Sequence, residues 1–349
     1  MNGIRKLPFE SDYMCGAMPQ LLQALAQTNE ESVTGYGADR FCLEAIDRIR
    51  EACQCPQAEV HFLSGGTQAN ATMIDAMLQS YQGVIAADSS HINTHEAGAI
   101  EFGGHKVISL PGKEGKLDAE VLEAYLEEWN GDENRWHEVM PGLCYLSQPT
   151  EYGTLYTRSE LEALSGICHE HGVRLYVDGA RLMYALGSPE NDVGLPELCR
   201  YCDAFYIGGT KCGALLGEAV VVPNADVAHL FTVIKQHGAL LAKGRVLGVQ
   251  FRELFTNELY LKSGKRAVAQ ARAIREALIQ SGFPLLIDSP TNQLFPILEN
   301  EQLKKLQQEA AVSFWAQTDR EHTAVRIATS WATRDEDVEA LRKLIASIK

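Results

Sequence analysis

The sequence predicts an α/β fold: a large domain on a mostly parallel sheet, then a smaller C-terminal α+β domain. Three observations point there. From about residue 58, short apolar runs alternate with amphipathic helical stretches, as parallel strand pairing requires. The runs are continuously apolar, as strands buried on both faces must be. A long helical region at 224–282 then leads into two further strand signals and two helices. The expected division is an N-terminal segment 1–35, a large domain 36–246 and a small domain 247–349.

The elements follow in order. EVHFLS (59–64) is a strand, closed by Gly65 and Gly66. Thr67 stands where an N-cap belongs, ahead of a helix through TQANATMIDAMLQSY (67–81). Its Ala69, Met73, Met77 and Tyr81 fall four apart on one face, with Ile74 and Leu78 widening the stripe. Strands GVIAAD (83–88) and KVISL (106–110) follow, then helix LDAEVLEAYLEEW (117–129) and strand GLCYLSQ (142–148). Helix TRSELEALSGICHEHG (157–172) leads into strand VRLYVDG (173–179), and DAFYIG (203–208) and EAVVVP (218–223) complete the sheet. Beyond 282, PLLIDSPTNQLFPIL and AVRIATSW carry strand signals, while EQLKKLQQEAA and RDEDVEALRKLIASI read as helices.

With 31 basic and 46 acidic residues the net charge is −15, which repels nucleic acid and anionic membrane. Any anionic ligand must therefore be held by a few local cations. No apolar run approaches the roughly 18 residues of a membrane helix, and the opening MNGIRKLPFESDYMC lacks the apolar centre of a secretory signal. Nine scattered cysteines, an odd number, read as reduced thiols in a cytoplasm. Neither Cys53/Cys55 nor Cys199/Cys202 has a second pair at finger spacing, and HINTHE (His91, His95, Glu96) is not the H-E-x-x-H of a zinc protease. No metal site is expected.

Open parallel sheets bind ligands beyond the carboxyl ends of their strands. After EVHFLS, the turn Gly65-Gly66-Thr67 opens a helix whose free N–H groups suit a phosphate, or serve ordinary packing. After GVIAAD comes His91, able to stack on a flat ligand or to hydrogen-bond in the core. After VRLYV comes Asp178, a costly carboxylate unless paired; Arg181 close by is one partner. After DAFYIGGT comes Lys211. Cradle, ring, carboxylate and lysine together match the needs of pyridoxal 5'-phosphate: a Schiff-base lysine, an acid partner for the pyridine nitrogen, a stacking ring and a phosphate site. The G-x-G-x-x-G of a nicotinamide enzyme is absent.

Across nearly the whole chain, ESDY (10–13), GYGAD (35–39), FLSGGTQAN (62–70), SSHINTHEAGA (89–99), YVDGARL (176–182), TKCGA (210–214), TNQLF (291–295) and AVRIAT (324–329) occur in one order. In these the sequence resembles the threonine aldolase and β-eliminating lyase family of fold-type-I pyridoxal-phosphate enzymes. HEVMPGLCYLSQPTEYGTLYT and GALLAKGRVLGVQ are most similar to a subgroup that includes phenylserine aldolases. The resemblance implies that Lys211 carries the cofactor and Asp178 meets its ring nitrogen. It implies that Arg181 bonds the phenolic oxygen, His91 stacks on the ring, and Gly66, Thr67 and Gln68 hold the phosphate. Arg245 would reach the phosphate from a neighbouring subunit, so a homodimer or homotetramer with shared sites is implied. Arg326 would clamp the substrate carboxylate, although an exposed strand face would also place an arginine there. Ser11 would lie near the same carboxylate, and Tyr36 and His137 near the substrate side chain. Two segments depart from the family pattern: ALLAKGRVL replaces a glycine run, and SQPTE replaces Glu-Asn-Thr. Lys235 and Lys243 either assist the phosphate or belong to a surface helix. The implied reaction cleaves a β-hydroxy-α-amino acid to glycine and an aldehyde, with His137 or His91 as the base; β-elimination is the alternative.

Overall fold

The computed structural model describes residues 6–349; the first five residues of the expected N-terminal segment lie outside it. Seven strands form the main sheet: Glu59–Leu63 (β1), Gln82–Ala87 (β2), Val107–Leu110 (β3), Met140–Ser147 (β4), Arg174–Asp178 (β5), Ala204–Gly208 (β6) and Glu218–Val222 (β7). Their order is β1-β7-β6-β5-β4-β2-β3. The run from β6 to β3 is parallel throughout.

β7 departs from the expectation of parallel pairing, running antiparallel to both β1 and β6. The cause is the short connection 209–217, which contains no crossover helix; a parallel return needs a dozen or more residues. That turn carries Lys211, so the reversal decides where the lysine sits.

Continuous apolarity has the expected consequence. Leu175 and Val177 of β5 enter one core with Ile85, Leu146, Ile207 and Val221. Tyr176 between them enters a second core with Val84, Leu143, Tyr206 and Val220. Each such side chain contributes about 1.5–3 kcal/mol when fully buried, and both sheet faces are covered.

The helix after β1 spans Gly66–Met77, four residues short of the predicted end, because Leu78 turns extended. Met73 and Ile74 are buried, but Tyr81 is left 62% exposed and is not part of the helical face. The 224–282 region is three helices, not one: Leu230–Gln236, Arg245–Leu254 and Leu259–Gln280. Left-handed Gly238 (φ 66°), and Asn257 and Glu258 (φ 52° and 58°), fall between them. The C-terminal sheet has Gln293–Leu294 (β8), Ile297–Glu299 (β9), Ser313–Gln317 (β10) and His322–Ala328 (β11), with β8, β9 and β10 each antiparallel to β11. The sequence reading missed β10. It packs only one edge on β11, and Phe314 remains 68% exposed, so its apolar signal is weak.

Candidate active site

The carboxyl ends of β4 and β5, the turn after β6, the N-terminus of the Gly66–Met77 helix and strands β10 and β11 enclose a cavity of about 860 Å³. Of the residues singled out in the sequence, Gly66, Thr67, His91, Asp178, Arg181, Lys211 and Arg326 line it.

Asp178 ends β5 and is buried. Its Oδ1 accepts from Tyr206 Oη (2.5 Å) and Ala180 N (2.9 Å), its Oδ2 from Tyr145 Oη (2.6 Å) and Asn70 Nδ2 (2.9 Å). Burial pushes this carboxyl up, but the tyrosine hydrogen bonds, nearby His91 and the Ala180 amide outweigh it, so it lies below the usual range. It is therefore an anion that accepts a hydrogen bond from a protonated partner.

The Lys211 side chain is half-buried in the turn, and among the described residues no hydrogen bond or ion pair engages its Nζ. Burial and then the charge of Arg181 lower its pKa below that of an ordinary lysine. A desolvated amine beside a second cation is a ready nucleophile. Glu218, the first residue of β7, accepts from Gly209 N (2.9 Å) in the same turn, and burial pushes its carboxyl up to about 8.

Arg181 is gripped bidentately by Asp12, Nε–Oδ2 2.6 Å and Nη2–Oδ1 3.1 Å, and Asn292 Nδ2 donates to the same carboxylate (3.0 Å). The Asp12 carboxyl is raised by burial but lowered more by Arg181. Removing one partner of a buried pair leaves an uncompensated charge. Asp12→Ala should therefore lose about 3–5 kcal/mol of stability, read as an earlier urea midpoint.

His91 donates its backbone N–H to Glu151 (3.0 Å), its ring Nδ1 pairs with Glu96 Oε1 (2.8 Å), and Asn70 bridges that carboxylate to Asp178. Among the described residues the hydrogen bonds of Arg326 are long, Nη1 to Gln293 Oε1 (3.3 Å), and Nη2 to Glu10 O (3.3 Å) and Ser313 Oγ (3.4 Å), with the Tyr13 hydroxyl also close by. Its Nε is buried without a partner. A guanidinium this loosely held suits a bidentate carboxylate ligand.

The helix after β1 has no side-chain cap, and its first backbone bond runs from Ala69 N to Gly65 O. The amides of Gly66, Thr67 and Gln68 are thus the orphan donors of a helix start at the cavity. A Cβ on Gly66 would press on Tyr206 Oη at 3.1 Å, disturbing a partner of Asp178. The Gln68 side chain itself turns away: Ser64 N and Oγ donate to its Oε1 (3.1 and 2.5 Å). Only its amide is available.

Four other expected residues do not line the cavity. His137 is exposed in the turn before β4, while β4 delivers Ser147 to the cavity at its other end. Eight strand residues at roughly 3.3 Å each separate the two. His137, one of the two candidate bases, thus lies outside this chain's cavity and not beside it as the resemblance implied. Tyr36 lies in a second hollow of about 220 Å³ with Phe231, under Lys235 Nζ at 4.8 Å. Arg245 opens the Arg245–Leu254 helix and donates to the carbonyls of Thr28 and Glu31. Ser11 sits between Glu10 and Asp12, its Oγ buried and unbonded. Lys235 and Lys243 also lie outside the cavity lining. Sequence reading missed Asp12, Tyr13, Glu151, Glu218 and Trp315; Asp12 and Tyr13 stood inside the quoted ESDY and Glu151 inside SQPTE, the only signals available. No group of His, Cys, Asp and Glu suited to a metal occurs among the described residues.

This architecture is that of the fold-type-I pyridoxal-phosphate enzymes. The chain superposes on Thermus thermophilus aspartate aminotransferase with a TM-score of 0.70 (14% identity, 99% of this chain and 92% of that one). It superposes on Sphingomonas wittichii serine palmitoyltransferase with 0.74 (16% identity, 99% and 88%). Within that class, the chain belongs to the beta-eliminating lyase family, which it matches over residues 8–340. It is 31% identical to a low specificity L-threonine aldolase of Pseudomonas aeruginosa over 98% of this chain and 96% of the relative. A solved threonine aldolase of Leishmania major superposes with a TM-score of 0.93 at 41% identity, covering 97% and 99%. The residues present fit pyridoxal phosphate: an uncapped helix start for the phosphate, an ionised Asp178 for the ring nitrogen and an unpaired amine for the aldehyde.

Proposed function

We propose that the chain cleaves the Cα–Cβ bond of a β-hydroxy-α-amino acid, of the L-threonine, L-allo-threonine or phenylserine type, to glycine and an aldehyde. The observation that carries this reading is one cavity holding the free Lys211 amine, the Asp178 anion and the half-satisfied Arg326 guanidinium, in a family whose named relatives are threonine aldolases. Bound pyridoxal phosphate supplies an aldehyde for Lys211 and a sink for the electron pair released at Cα. Asp178 holds a proton on the pyridine nitrogen. Arg181, fixed by Asp12, meets the phenolic oxygen, and the Gly66, Thr67 and Gln68 amides bind the phosphate. Arg326 grips the substrate carboxylate and so sets which bond at Cα faces the sink. Incubation with L-threonine, L-allo-threonine and phenylserine tests this: glycine and aldehyde in equal amounts are expected. Pyruvate from serine, with no aldehyde from any of the three, would instead establish elimination.

Arg326→Ala should keep the cofactor's colour and raise KM for the amino acid about 10²-fold, the size of two charged hydrogen bonds near 1.4 kcal/mol each. Lysine should not substitute, since it lacks the planar fork. Colour lost with activity would count against this role.

Arg245 and Tyr36 enter the same reading as residues a second copy contributes. Half-exposed Tyr36 and Phe231 at the second hollow and the family's shared sites support a homodimer or homotetramer, checked by light scattering. All nine cysteines are free and no helix of the described residues is long and apolar enough to cross a membrane; we place the enzyme in the reducing cytoplasm.

A further inference from the structure

We propose that Glu151 is the general base that removes the substrate's β-hydroxyl proton, an assignment resting on the aldolase reading above. Cleavage needs an acceptor for that proton, and the site holds few. His137 precedes β4, at the opposite end of that strand from the cavity. The His91 ring is engaged through Nδ1 with Glu96 (2.8 Å). Asp178 is held low by its hydrogen bonds and is already committed, in the aldolase reading, to the cofactor's ring nitrogen. Glu218 faces the Lys211 turn.

Glu151 lines the cavity alongside His91, Asp178 and Arg326. Both of its protein donors, Ser147 Oγ (2.7 Å) and His91 N (3.0 Å), fall on Oε1. No donor of another described residue falls on Oε2, which leaves it for a ligand. The loop that carries it is pinned: Thr150 N to Thr154 O (2.9 Å), Thr150 Oγ1 to Thr154 Oγ1 (2.6 Å) and Thr291 Oγ1 to Gly153 O (2.9 Å). Gln293, which also touches Arg326, donates to the Glu151 carbonyl (3.4 Å). The carboxylate is thus preorganised near the substrate's carboxylate clamp.

The balance is simple. The hydroxyl proton passes to Oε2, and the O–H pair becomes the C=O π bond of the aldehyde as Cα–Cβ breaks. The Cα–Cβ pair moves to Cα and into the sink, and one proton returned to Cα completes glycine. Burial raises the Glu151 carboxyl above the usual range, and nearby Asp178 adds to this against Ser147 and His91; Arg181, Tyr145 and Tyr156 are further ionisable groups within its field. A base works only when deprotonated, so kcat/KM should rise with pH through that raised value.

The test compares wild-type, Glu151→Gln and Glu151→Asp holoenzymes on L-allo-threonine. The Gln variant is expected to keep the cofactor's visible absorption, the spectral change with glycine and the exchange of glycine's α-proton into D2O. Its cleavage rate should fall about 10²- to 10⁴-fold and lose the acidic limb, with partial rescue by Asp. In the apo-protein, carboxyl ¹³C NMR should show two glutamates titrating above the ordinary range, Glu151 and Glu218, of which one is missing from the Gln variant. A Gln variant cleaving near the wild-type rate with the same acidic limb overturns the assignment. So does equal loss of colour, glycine exchange and cleavage, which would make Glu151 structural. A wild type that yields neither glycine nor aldehyde from any β-hydroxy amino acid overturns the aldolase reading, and this proposal with it.

Discussion

Lys211→Ala is expected to lose turnover by about 10³-fold or more, the scale of removing a positioned acid–base or nucleophilic group. Lys211 is half-buried in the turn between β6 and β7, beside Arg181, and among the described residues nothing bonds its amine. No other lysine lines the cavity, so the variant should lose covalent attachment while the phosphate and ring sites still bind the cofactor reversibly. The stopped assay should recover partly on adding a small primary amine such as methylamine. A variant retaining near-wild-type turnover would show that the lysine is a bystander.

Asp178→Asn is expected to lower kcat about 10²- to 10³-fold, the cost of one preorganised electrostatic partner. The anion is held by Tyr145, Tyr206, Asn70 and the Ala180 amide. Asparagine keeps the shape but not the charge, so the ring nitrogen loses the group that keeps it protonated; each pKa unit there is about 1.4 kcal/mol. Asp178→Ala should also destabilise the fold, since it strands buried donors at about 1–3 kcal/mol each. Unchanged kcat in the Asn variant, with the cofactor bound, would refute the pairing.

The strand ends were readable because an apolar run has a visible end. Gly66, Thr67, His91, Asp178 and Lys211 each follow one, and all five line the cavity. What was not readable came from long-range assembly. Asp12 meets Arg181 from 169 positions away, and neither residue's neighbours reveal the other. Glu151 sits in a loop with no periodic signal, and β10, which brings Phe314 and Trp315 to the cavity, joins the sheet only by pairing with β11. The antiparallel β7 escaped because its EAVVV run is as apolar as a parallel strand; connection length, not composition, decides its direction. His137 misled because a short motif places a residue near a strand without saying at which end.

The most direct test of this account is reduction of the purified yellow enzyme with borohydride, followed by peptide mass mapping. The account predicts that the colour bleaches and that one phosphopyridoxyl group is fixed on the peptide containing Thr210, Lys211 and Cys212. A group fixed on another lysine, such as Lys235 or Lys243, or no fixed group at all, would contradict it.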